Sequence, residues 1–87
     1  MVIRTLTDIT RKQMYISYRK EYRAHVVMEA KNLNTLEFSV EFSIEMTPLG
    51  EKEVKVIVPD SVNYPVIPIL RALKPYIHDL ERNGHLP

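Results

Sequence analysis

No cysteine occurs among the 87 residues, and that absence removes disulfides, thiolate nucleophiles and cysteine-ligated zinc or iron–sulfur sites together. Glycine is nearly as scarce, with two residues. Gly50 and Gly84 both fall where a turn or a helix end is expected, so no glycine-rich loop is left to cradle a phosphate. Apolar runs are only a few residues long, against the roughly 20 that a bilayer-crossing helix needs. Met1 to Asp8 carries Arg4 and Asp8 among threonines rather than the basic and then apolar stretch of a secretory signal, which points to the cytoplasm and away from a membrane. An excess of one charge is also missing. Twelve Lys+Arg stand against eleven Asp+Glu, a formal +1, too even for the whole molecule to act as a polyanion trap.

What is present is a globular composition, 45% hydrophobic and 26% charged, in a chain long enough for one domain over residues 1–87 and no second one. From Thr35 to Thr47, Leu36, Phe38, Val40, Phe42, Ile44 and Met46 are apolar while every odd-numbered residue is polar. A strand puts each of those apolar residues on one face, whereas a helix would scatter them around its circumference. Tyr15 to Ala30 repeats the pattern with Ile16, Tyr18, Tyr22, Ala24, Val26, Met28 and Ala30, broken by Lys20. Tyr15, Tyr18 and Tyr22 also suit a helical stripe, but the β-branched and aromatic content favours a second strand.

Lys31-Asn32-Leu33-Asn34 supplies the turn between the two strands. Charge sets their register. Pairing Arg23 with Glu41 and Arg19 with Glu45 also sets Tyr22 against Phe42 and Val26 against Phe38, whereas a shift by two opposes Glu29 to Glu37 and Glu21 to Glu45. Thr47-Pro48-Leu49-Gly50 reads as a tight turn into a short strand, Lys52 to Val58, with Val54, Val56 and Val58 on one side and Lys55 beside Glu45. Pro59 stops it. Val2 to Ile9 alternates weakly and reads as a further strand. From Pro65 the period becomes helical, with Val66, Ile69, Leu70, Leu73, Tyr76, Ile77 and Leu80 on one stripe. Pro65 and Pro68 suit its start, Pro75 predicts a kink or break near Lys74, and Gly84 suits its cap. The expected fold is two-layer α+β: an antiparallel meander of three to four strands with a long central hairpin and one kinked C-terminal helix on its apolar face.

Dimensions suggest a partner. A thirteen-residue strand is about 43 Å long, a compact chain of this size has a radius of gyration near 12 Å, and the helix spans under about 29 Å. One end of the ribbon is therefore left uncovered, exposing Ile16, Tyr18 and Met46 or else Met28 and Leu36. A two-fold homodimer is expected there; the competing expectation is a monomer whose coiled, bulged sheet wraps its helix.

Candidate chemistry is sparse. Arg4, Arg11, Lys12, Arg19, Lys20 and Arg23, with the neighbouring tyrosines, form the nearest approach to a nucleic-acid surface. On a strand, however, Tyr18 and Tyr22 face away from Arg19 and Arg23, and the polar face carries more carboxylates than cations. Glu37, Glu41 and Glu45 lie about 13 Å apart at every fourth residue, too far to close on one ion. His25, His78 and His85 have no ligand spacing, and Ser17, Ser39 and Ser43 lack a nucleophile elbow. No cofactor, metal or catalytic residue is assigned. The helix stripe could enter a partner's groove, though it serves more simply as the lid of its own sheet. The leading expectation is a non-catalytic, self-associating interaction module with a possible further protein partner. A nucleic-acid-binding accessory protein comes second and an enzyme subunit third.

Overall fold

The computed structural model describes residues 1–13, 18–30 and 34–87. Its elements are β1 (Val2–Arg11), β2 (Arg19–Glu29), β3 (Thr35–Met46), β4 (Lys52–Ile57) and α1 (Val66–Arg82). The strands form one antiparallel sheet in the order β1-β2-β3-β4, a meander with a single helix. Tyr15, Ile16 and Ser17, and the turn residues Lys31, Asn32 and Leu33, lie outside the described residues.

The β2–β3 register is the one the charges favour: Arg19 faces Glu45, Tyr22 faces Phe42, Arg23 faces Glu41 and Val26 faces Phe38. Even-numbered residues of both strands turn to the helix side, where Tyr22, Ala24, Val26, Met28, Phe38, Val40, Phe42 and Ile44 are buried with Val54 of β4. The Tyr22 and Phe42 rings stack with centroids 5.0 Å apart. Ile69, Leu73 and Ile77 close this layer from α1, occupying successive turns of one stripe.

Three details depart from the sequence expectation. The helix runs unbroken through Pro75. Pro75 and Arg71 are both exposed, so the Arg71 carbonyl that loses its N–H partner can turn to water, and the fault lies on the side away from the core. Lys55 faces Ser43, while Glu45 faces Glu53, leaving Lys55 only diagonal to Glu45. Met28 is wholly buried, at 0% exposure, because the N-terminal half of the helix layer, with Met1 and Ile3, covers that end of the sheet.

The ends of the elements follow ordinary local chemistry. At the β3–β4 turn the Gly50 N–H donates to the Thr47 carbonyl at 2.9 Å with Gly50 at φ 82°, the left-handed residue of a three-residue hairpin loop. At the helix end the His85 N–H reaches the Leu80 carbonyl at 2.9 Å and the Gly84 N–H reaches the Glu81 carbonyl at 3.1 Å. With Gly84 at φ 72°, this is a Schellman cap. β1 carries two register shifts, the second around Asp8 at φ 53°, so this edge strand is bent away from regular pairing.

Candidate interaction surface

Two faces and two edges of the sheet are available to a partner. The outer face, opposite α1, is laced with ion pairs. Arg23 donates to Glu41 at 2.9 Å, and Lys12 approaches the same carboxylate at 3.7 Å. Arg19 lies 3.0 Å from Glu21 and 3.7 Å from Glu45, Arg4 pairs with Glu29, and His25 Nε2 lies 3.3 Å from Glu37. The Arg23 hydrogen bond, with the Lys12 charge behind it, lowers the Glu41 pKa from its ordinary value. Tyr22 shows the opposite effect, its phenol raised above the ordinary value by burial, with its hydroxyl donating to the Pro87 carbonyl at 3.2 Å.

Each carboxylate of the Glu37, Glu41 and Glu45 row thus faces its own cross-strand cation instead of converging on a common centre. Among the described residues no group of three His, Asp or Glu side chains is placed to hold a metal ion. A small cleft of about 140 Å³ opens on this face between Lys12, Arg19, Glu21, Glu41 and Lys55, with Ser43 at its floor. His78 and His85 are exposed on the helix and the tail.

The six basic residues of the nucleic-acid expectation do not share a face. Arg4, Lys12, Arg19 and Arg23 are engaged with carboxylates on the outer side. Arg11 lies opposite Tyr22, and Lys20 opposite Ile44, on the helix side.

Of the five residues expected at an apolar interface, the structure separates two from the rest. Tyr18 and Met46 are 56% and 44% exposed and adjoin each other, the Met46 N–H donating to the Tyr18 carbonyl at 2.8 Å. Met28 belongs to the core and is withdrawn from the interface; Leu36 is half-buried against it. Ile16 lies outside the described residues. The helix comes down on β4 through Lys52–Glu81, and the tail lays Leu86 on the core, which leaves the Tyr18–Met46 end projecting. Leu49, at 87% exposure the most open large apolar side chain, sits in the turn next to Met46. The sequence pattern gives no sign of it, because turn chemistry set by Pro48 and Gly50 hides an apolar residue's interest.

A second feature is an edge. Ala30 N–H donates to the Asn34 carbonyl at 2.9 Å, as Met46 does to Tyr18, and such closely bonded pairs recur at every second residue of an antiparallel ladder. Even-numbered residues of β3 therefore turn their main-chain groups to β2, and odd-numbered ones turn away. On that far side Glu41, Ser43 and Glu45 meet β4, which ends at Ile57 opposite Glu41. Thr35, Glu37 and Ser39 lie beyond the end of β4, are exposed, and among the described residues receive no main-chain bond from any other segment. The signal was in the sequence, in a six-residue strand closed by Pro59 beside a much longer alternation.

The fold is thus a small α+β meander whose described helix is too short to cross a membrane. The chain belongs to the BB_0187 family, whose model matches residues 1–82. No curated protein and no solved structure matches it.

Proposed function

We propose that this protein is a non-catalytic interaction module that assembles with itself in the cytoplasm and presents its ion-paired sheet face to a further protein. The observation that carries this reading is surface area. A compact monomer of this mass exposes about 5,300 Å² by surface scaling, whereas this chain exposes 6100 Å². The excess of roughly 800 Å² is what one partner buries in an interface of standard size. It arises from shape, since the chain measures 40 × 24 × 24 Å and its helix does not reach the end where Tyr18, Met46 and Leu49 stand. A cysteine-free domain this small gains from any further apolar burial, and a second copy is the partner always at hand.

A non-catalytic role rests on the outer face. Its charges are committed to one another, and Glu41, held below its usual range by Arg23, is moved away from proton exchange at neutral pH. Sedimentation from about 1 to 100 μM is the test, since dimers populate by mass action. A species of twice the 10.2 kDa chain mass is expected. A single 10.2 kDa species across the whole range would sink the proposal.

A further inference from the structure

We infer that the second copy joins along the open edge of β3, residues 35–40, pairing antiparallel with its own counterpart to make one continuous sheet across the two-fold axis. This rests on the self-association proposed above and adds the surface and the register. Unpaired N–H and C=O groups in a row are a template for another strand, and the other edges of this sheet are managed. β1 is broken by two register shifts and a left-handed Asp8. β4 is six residues long and carries Lys52, Glu53 and Lys55. Thr35, Glu37 and Ser39 have neither a bulge nor a lysine to deter pairing, and they are the outward-bonding residues of the longest strand.

The register follows from charge and space. A two-fold axis through Glu37 would set that carboxylate against Glu37 of the second copy, a like-charge opposition. It would also drive the second copy's Asn34 onto the path of Val58 as it leaves β4. An axis through Leu36 avoids both. It places Thr35 opposite Glu37 of the second copy and Glu37 opposite Thr35, two closely bonded pairs giving about four main-chain hydrogen bonds. Leu36, half-buried in one chain, then meets Leu36 of the second copy on the helix side, extending the apolar layer from one body into the next. A second copy is favoured over a foreign strand because it satisfies both constraints with residues already present. It also draws on the roughly 800 Å² by which the lone chain's 6100 Å² exceeds that of a compact body.

Main-chain exchange gives the test. In the wild-type chain the amide of Glu37 should exchange freely at low concentration and gain protection as the dimer forms, while the even-numbered amides of β3, bonded to β2, stay protected throughout. Glu37→Pro removes an outward N–H without touching the β2 ladder, as proline is tolerated on the open side of an edge strand; it should weaken dimerisation about tenfold or more. Glu37→Ala keeps the N–H and should dimerise like wild type. If the chain dimerises while the Glu37 amide stays open and Glu37→Pro dimerises normally, the edge is not the interface, although self-association stands. A chain that is monomeric at every concentration overturns both.

Discussion

At the residue scale, two titratable groups tie the fold to pH in opposite directions. Glu41 is lowered from an ordinary value of 4.5 by Arg23 and then Lys12. Its contribution is complete above the unfolded value and is lost as pH falls through the folded one. Melting temperature should therefore drop as pH falls below about 4.5, and Glu41→Gln should shrink that drop while leaving the neutral-pH value nearly unchanged, as befits a fully exposed pair. Tyr22 works at the other end. Its folded value is raised above 10.0 by desolvation, so its contribution is whole below about pH 10 and fades as pH climbs through the folded value. Tyr22→Phe removes both that alkaline sensitivity and the bond to Pro87, costing about 1 kcal/mol at neutral pH, measurable by urea titration. In the core, Leu73 has no exposure and anchors the middle of the helix stripe. Leu73→Ala should cost about 2–5 kcal/mol, enough to unfold a large share of a domain this small.

At the element scale, strands were legible where polar and apolar residues alternate strictly, because one face is buried and a one-residue slip would expose it. Thr35 to Met46 is the plainest case, and the Arg19–Glu45 and Arg23–Glu41 pairs carried the register with it. The helix was equally plain from Ile69, Leu73 and Ile77. Its continuity was not, because sequence shows that Pro75 lacks an N–H but not that the orphaned Arg71 carbonyl faces water. That makes Pro75 a removable fault. Pro75→Ala restores one helical hydrogen bond and good propensity, partly offset by a freer unfolded chain, and should stabilise by about 1–2 kcal/mol. A rise of roughly 4–8 °C in melting temperature per kcal/mol is expected for a domain of this length; no rise at all would mean that the carbonyl already has a partner as good. The open edge of β3 was illegible for a different reason. It depends on which main-chain groups point away from β2, a parity fixed by hydrogen bonds and invisible in side-chain patterns.

At the scale of the whole molecule, the distribution of charge decides between two kinds of partner. A nucleic-acid surface needs cations that are free and on one side, and its affinity falls steeply with salt as counterions are released. Here the outer-face cations each meet a carboxylate, and Arg11 and Lys20 lie across the sheet from them. Association through main-chain bonds and apolar side chains has no such salt term, because at about 0.1 M salt exposed charges are screened beyond roughly 10 Å. The dimer constant should therefore change by less than about threefold between roughly 50 and 500 mM salt, with apolar burial if anything strengthened by a salting-out anion such as sulfate. Melting temperature should rise with protein concentration at every salt level, since mass action favours the folded dimer over unfolded monomers. A labelled oligonucleotide retained at about 50 mM salt and released at about 300 mM would reverse the assignment. It would require the Arg19 and Arg23 pairs to open toward phosphate, which Glu45 and Glu41 oppose.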